Sequence, residues 1–269
     1  MDFESRESCE YIARLIEHLD QPTFPDVLIN ALAQIASFDS TVIYLYQRDF
    51  TPIDLFHWPA HNAIASSSTL DEYEASAYLL DPFFQACQRR IEPGAYTLRG
   101  IAPDRFFHSE YFRTYYIKTR ITDELGLFAH LSEHRSIVIS LCREGSHRRF
   151  SRREIRDLKA VEPIVRAAVL HHWKAAVREP NPNEGPQISL ESIVQSAPTQ
   201  PGKSALTARE AEVVGLVLQG HSSESAGLLL GISRNTVKVH RKHVYAKLGI
   251  STQAELFSTF LPALPGIVR

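Results

Sequence analysis

The sequence predicts an α+β chain in two parts. Residues 1–178 read as an N-terminal α-β-α sandwich around an antiparallel sheet of about five strands, and residues 205–269 as a C-terminal all-α domain of four helices. Three observations carry this. Amphipathic helical segments precede, interrupt and follow short β-branched and aromatic runs. Residues 179–204 then collect Pro180, Pro182, Pro186, Pro198, Pro201, Gly185 and Gly202 among polar residues, the composition of a linker. From Leu206 to Phe260, capping residues and glycine stops mark helices in quick succession.

Taken in order, Ile12, Leu15, Ile16 and Leu19 stand at helical spacing within residues 5–19, and Phe24, Leu28, Ala31, Leu32 and Ile35 repeat the pattern for a second helix. Thr41 to Tyr46 and Ile53 to Trp58, separated by the Thr51-Pro52 turn, read as a hairpin. A helical stretch from about Leu70 to Leu80 is broken by Asp81-Pro82, and Phe83 to Arg90 resumes as a short helix. Gly94 to Leu98 reads as a strand and Glu110 to Thr119 as an aromatic-rich helix. Strands over 125–131 and 136–141 flank the polar turn Glu133-His134-Arg135. Ser151 with Glu154 caps a long helix carrying Ile155, Leu158, Val161, Ile164, Val165, Ala168 and Trp173.

In the C-terminal part, Thr207 with Glu210 forms a capping box, so the first helix runs from about Ala208 to Gln219. Gly220 stands where a left-handed cap belongs. A second helix follows from about Ser223 to Leu230 and ends on Gly231. Two helices joined by a tight glycine turn make a helix-turn-helix. Ser233 caps the third helix, whose Val237, Val244 and Leu248 share one stripe and must face the core. The opposite face is left to Asn235, Lys238, Val239 and Lys242, with Thr236, His243 and Lys247 at its edge. Cations, an amide and one apolar side chain are what a major groove can meet with phosphates, base acceptors and thymine methyls. A fourth helix, Thr252 to Leu261, is apolar on two sides: Ala254, Phe257 and Leu261 can pack on the third helix, which leaves Leu256 and Phe260 for another partner.

These residues resemble the four-helix DNA-binding domain of LuxR-type (NarL/FixJ-like) transcription regulators, with Leu206-Thr207-Ala208-Arg209-Glu210, Gly231 to His243 and Lys247-Leu248-Gly249 carrying the likeness. The resemblance implies double-stranded operator DNA as a partner and a homodimer formed through the last helix, at Leu256 and Phe260. It also implies a small-molecule effector and contact with RNA polymerase. Ala226-Gly227 stands where Ile-Ala is usual, and Leu228-Leu229 where polar residues usually face solvent. The order of elements in residues 1–178 resembles the GAF-like or autoinducer-type sensor domain of the same proteins.

Charge divides the chain the same way. From Ala205 onward there are seven Lys and Arg against four Glu, a net of +3, which leaves −5 for residues 1–204 of a chain whose net charge is −2. Nucleic acid is therefore expected at the C-terminal part. Cys9, Cys87 and Cys142 are too far apart for a C-x-x-C zinc or disulfide pattern, the polar N-terminus is unlike a signal peptide, and no apolar run reaches membrane-spanning length. A cytoplasmic protein without a membrane segment or cofactor is expected. No G-x-S-x-G, H-E-x-x-H, Walker loop or dinucleotide fingerprint is present, so no enzyme is predicted.

Within the sensor part, Tyr73, Tyr78, Asp81 and Pro82 are similar to the Tyr...Tyr-x-x-Asp-Pro run that lines the pocket of acyl-homoserine-lactone receptors, where the Asp accepts a hydrogen bond from the ligand amide. The resemblance places Tyr73, Tyr78, Asp81, Phe84 and Tyr96 at a ligand site. The receptors' preceding Trp has no counterpart in Ala65-Ser66-Ser67-Ser68, and Tyr96 stands about where a second Trp would be. Phenol hydroxyls and a carboxylate suit a small, polar, nitrogen-bearing metabolite or signal. An acyl-homoserine lactone, or a protein partner in place of a ligand, stays open. So does the plain reading of Asp81-Pro82 as a helix stop and of the tyrosines as core. His57 with His61 and His130 with His134 have metal-compatible spacing without a third ligand nearby.

Overall fold

The computed structural model describes residues 6–48, 50–58, 71, 73–145, 149–176, 189–197, 199–260 and 263–264. The chain divides into two compact units that are not consecutive in sequence. The first comprises the described residues within 1–66, 86–101 and 120–185, and the second those within 67–85, 102–119 and 186–269.

The first unit is built on a five-stranded antiparallel sheet of order β2-β1-β5-β4-β3, with β1 Ser40–Gln47, β2 Ile53–Trp58, β3 Gly94–Thr97, β4 Ile121–Ser132 and β5 Arg135–Glu144. β4 and β5 extend beyond their apolar centres because each pairs along nearly its whole length, from Ile121↔Glu144 to Ser132↔Arg135. The turn between them is therefore only Glu133-His134. Alternate residues Ile43 and Leu45, Leu125 and Leu127, and Ile137, Ile139 and Leu141 form one buried core with helical side chains. Those come from α1 (Arg6–Glu17), α2 (Phe24–Ala33) and α4 (Arg152–Ala176), with Leu15, Phe24, Leu28, Leu158, Val161 and Trp173 at its centre. α4 begins at the predicted box, Ser151 N donating to Glu154 Oε2 at 2.7 Å and Glu154 N to Ser151 Oγ at 3.2 Å. Between them, α3 (Pro82–Gln88) starts directly after Asp81.

In the second unit, residues 71 and 73–75 are helical and Ala77–Leu80 closes as a 3₁₀ turn before the Asp81-Pro82 break. The helix predicted over Glu110 to Thr119 is not regular. Phe106–His108 is a 3₁₀ turn and Phe112–Tyr116 a π turn, followed by one α turn at Ile117–Thr119. Thr114 Oγ1 donates to Glu110 O at 2.8 Å, and Thr119 Oγ1 to Tyr115 O at 3.0 Å. Side-chain hydroxyls thus compete for the carbonyls a regular ladder would use.

The rest of this unit is helical: α5 (Leu190–Gln195), α6 (Ala208–Leu218), α7 (Ser223–Leu230), α8 (Arg234–Leu248) and α9 (Gln253–Phe260). α5 lies where composition predicts only linker. Ser189 and Ser192 form a reciprocal cap, and Leu190 and Val194, four residues apart, are buried. α5 packs on α6 beside Gly215, where a Cβ would stand at ordinary contact distance from Leu190 Cδ2, 3.6 Å. Two apolar residues on one helical face outweigh the prolines around them. Of the linker prediction, residues 179–188 and Pro198 lie outside the described residues, as do the Ala65 to Ser68 stretch, His61 and Leu261.

α9 corrects a prediction. Leu256 and Phe260, expected to be left over for a partner, are each 1 % exposed, and Phe257 is also buried, while Ala254 faces solvent. The inward stripe of this helix is 256-257-260, one residue away from the predicted 254-257-261, so the exposed pair on which the dimer contact rested does not exist in the folded chain. Leu228 and Leu229 of α7, in contrast, are exposed.

Candidate functional site

Helix ends position the predicted DNA-binding face. Thr207 Oγ1 accepts from Glu210 N at 3.2 Å, and Glu210 Oε2 accepts from Thr207 N at 2.8 Å, which starts α6. Ser222 Oγ caps α7 through the amides of Glu224 and Ser225, and Ser233 Oγ caps α8 through the Thr236 amide at 3.0 Å. α7 ends on Gly231 and α8 on Gly249, both in the left-handed region, at φ 64° and 73°. Gly227, one of the sequence's oddities, has a reason. A Cβ there would lie 2.8 Å from Ile232 O, in the turn that feeds α8. The roughly 1 kcal/mol that glycine costs a helix interior is exchanged for a tight turn.

Val237 and Val244 are fully buried, and Val237 packs α8 on Val213 of α6 and Ala226 of α7. The helix is thereby fixed in rotation, and Asn235, Thr236, Lys238, Val239, Lys242 and His243 are all exposed on the other side. Val239 is 50 % exposed, an apolar side chain offered to solvent amid polar ones. Lys247 does not join them. Its Nζ lies 2.7 Å from Glu210 Oε2 and 3.1 Å from Ala205 O, at the foot of α6. Burial raises the Glu210 carboxyl, but hydrogen bonds from Lys247 and Thr207 outweigh it and hold the group below its ordinary value. Arg209 is likewise engaged, donating to Leu230 O at 2.6 Å and to Glu212 Oε2 at 2.6 Å. Arg241 donates to Tyr245 Oη at 3.0 Å.

The glycine turn of the helix-turn-helix is gripped by residues 104–106, which belong to the same compact unit. Arg105 N donates to Gly220 O at 2.9 Å and Ser222 N to Asp104 Oδ1 at 2.9 Å. Burial raises the Asp104 carboxyl, yet its hydrogen bonds with Ser222 and the nearby His221 leave it lowered. Gly220 has φ 96°, and a Cβ on it would lie 2.7 Å from Phe106 Cα, so glycine is required twice over.

Phe106 opens an aromatic cluster that ends at Asp81. Its ring meets Tyr111 at 6.1 Å, Tyr111 stacks on Tyr115 at 5.4 Å, and Tyr115 meets Tyr73 at 5.8 Å. The Tyr73 hydroxyl donates to Asp81 Oδ2, and Phe83 N donates to Asp81 Oδ1 at 2.8 Å. Asp81 is thus the cap of α3 as well as a buried carboxyl, 5 % exposed. Burial pushes its titration up to about 6 against those two hydrogen bonds. Tyr78 packs edge-on to Phe84 at 4.9 Å, and its hydroxyl is buried with no hydrogen-bond partner among the described residues. Burial pushes that phenol up to about 12. Tyr73, Tyr78, Asp81 and Phe84 are therefore assembled. Tyr96 is otherwise employed, in the first unit, with its hydroxyl on Glu92 O at 2.9 Å and its ring edge-on to Phe128 at 5.7 Å.

Of the histidine pairs, His61 lies outside the described residues, and His57 and His130 meet protein groups. His57 Nδ1 meets Asp54 Oδ2 at 2.6 Å, and both nitrogens of His130 are taken, by Ser136 Oγ at 2.7 Å and Ile91 O at 2.6 Å. No group of three His, Cys, Asp or Glu suited to a metal occurs among the described residues, and no helix among them is long and apolar enough to cross a membrane.

Lys247→Ala strands a buried carboxylate and should cost about 3 kcal/mol in urea unfolding, with the salt dependence of DNA binding unchanged. Unchanged stability with a shallower salt slope would instead make Lys247 a phosphate contact.

A family model described as bacterial regulatory proteins, luxR family, matches residues 204–260. The chain is 33 % identical over 183 residues to a relative described as an HTH-type transcriptional regulator in the exeN 3' region of Aeromonas salmonicida, covering 67 % of this chain and 93 % of the relative. It is 25 % identical over 240 residues to the monoamine regulon transcriptional regulator of Klebsiella aerogenes, covering 87 % and 89 %. Among solved structures, the VqsR LBD domain from Pseudomonas aeruginosa covers 64 % of this chain and 100 % of its own, with 27 % identity and a TM-score of 0.56. The helix-turn-helix match, the sensor fold and the 33 % identity over two thirds of the chain agree: the chain belongs to the luxR family of bacterial regulatory proteins.

Proposed function

We propose that this transcriptional regulator binds an inverted, two-part operator as a homodimer through Asn235, Thr236, Lys238, Val239, Lys242 and His243, under the control of a small, polar, nitrogen-bearing effector held by Asp81, Tyr73, Tyr78 and Phe84. The DNA part rests on the exposure of one face of α8 whose opposite face is fully buried. A single helix reads only a few base pairs, so a specific site calls for a second copy on an inverted half-site.

The effector part rests on one observation, the fully buried Tyr78 hydroxyl without a partner in the same aromatic cluster as the buried Asp81 carboxyl. A phenol and a carboxylate out of water favour a ligand that donates hydrogen bonds and carries positive charge. The relative from Klebsiella aerogenes, whose name concerns a monoamine regulon, supports that chemistry.

Lys238→Ala and Lys242→Ala should each weaken operator binding and lower the salt slope by roughly one. Unchanged affinity and slope in both would overturn the α8 assignment. Asp81→Asn tests the effector site through two opposed effects. The folded carboxyl titrates near 6 rather than 3.8, so the native state bears no cost below pH 4 and the full cost above pH 6. At pH 7.5 the Asn variant should therefore be more stable than the wild type without ligand, on the order of 2 kcal/mol. Its affinity for an amine effector should fall by about 2 kcal/mol or more in calorimetry. Equal amine affinity in the two proteins would reduce Asp81 to a helix cap.

A further inference from the structure

A second cleft lies in the first unit, at the end of the sheet where β1, the β4–β5 turn and the C-terminus of α3 converge. It has a volume of about 130 Å³, and its floor is Tyr46, Gln47, Cys87 and Ser136. Arg48, Arg90, Gln88, Glu133 and His134 form its rim. Register holds the walls in place, with Tyr46 opposite Ser136, Gln47 opposite Arg135, and Arg48 N donating to His134 O at 2.9 Å.

Arg90 is the unusual member. Arg90 N donates to Cys87 O at 3.0 Å and Ile91 N to Ala86 O at 3.2 Å, the pair of bonds that closes a helix on a left-handed residue, and that residue is normally glycine. Here it is an arginine at φ 52°. A left-handed conformation is unfavourable for a residue with a Cβ, so the fold bears a strain that glycine would relieve. In return a guanidinium is held at the rim, with Nη1 donating to Ser132 O at 3.1 Å and the other donors still to be used.

The floor is polar as well. Gln47 is 5 % exposed and lines the cleft, where its side-chain amide can donate to an oxygen of a bound molecule. Ser136 is oriented as well. Ile91 O can only accept, so His130 Nε2 carries the proton. In the neutral ring Nδ1 then accepts from the Ser136 hydroxyl. The Ser136 oxygen is left free to accept from a donor.

From this geometry we infer that the cleft binds a small oxyanion carrying its own hydroxyl, of the size of hydrogen phosphate or a short hydroxycarboxylate. Arg48 and Arg90 take the charge, the Gln47 amide donates to an oxygen, and Ser136 accepts from the hydroxyl. This site is separate from the effector site around Asp81 and does not depend on it.

Thermal unfolding of the full chain, titrated with inorganic phosphate and separately with lactate at constant ionic strength, tests the inference. At least one of the two should raise the melting temperature saturably, and which one does identifies the source. Arg90→Gly should melt higher than wild type without anion, because the left-handed strain is gone, yet lose at least about tenfold in affinity. Arg48→Gln should lose affinity to a similar degree without that gain. No saturable response from either anion in the wild type would overturn the inference. Equal responses in wild type and both variants would also overturn it, since they would report a general salt effect.

Discussion

The buried Glu210 carboxylate is the interaction on which the DNA-binding helices depend. It closes the cap of α6 on Thr207 and receives Lys247 from the last turn of α8, so one group joins the start of one helix to the end of another. A buried carboxylate is tolerable only with such a set of donors, and once they are in place the rotation of α8 is settled. Val237 and Val244 must then face inward and Lys238, Val239 and Lys242 outward. The same constraint sorts the positive charge. Arg209 and Lys247 tie helices together and Arg241 is held by Tyr245 of its own helix, so the net charge of this part overstates the cations available to phosphate.

Features specified by neighbours in the chain were legible before the structure. Thr207 with Glu210, Ser151 with Glu154, Ser233 and Gly231 act within one turn of themselves, and each lies where its spacing predicts. What was not legible depends on distant partners. Lys247 reads as one more cation on a basic helix until Glu210, 37 positions earlier, comes beneath it. Leu190 and Val194 sit in a proline-rich stretch and become a helix because α6 offers Gly215 to pack against. On α9, periodicity alone could not choose between two apolar stripes one residue apart. Asp81 with Tyr73, Tyr78 and Phe84 was legible as a run that the fold brings together, whereas the engagement of Tyr96 by the Glu92 carbonyl was not, because a backbone carbonyl carries no signal in side-chain type.

The second unit places the aromatic cluster and the helix-turn-helix in one compact body. From Asp81 the contacts run through Tyr73, Tyr115, Tyr111 and Phe106 to the backbone at Gly220. Close-packed rings of this kind do not deform smoothly, so a change at one end is felt as a shift at the next contact. Asp81 itself is kept at a cost to stability. A carboxyl that protonates near 6 is unfavourable to bury as an anion at neutral pH, and asparagine would cap α3 equally well.

Entry of the outward face of α8 into the DNA is tested by site-specific photo-crosslinking to an operator obtained by in vitro selection. A benzophenone side chain at position 239 should form adducts with operator bases, and the same group at Ser258, exposed on α9, should form none. Adducts from position 258 with none from 239 would contradict the account.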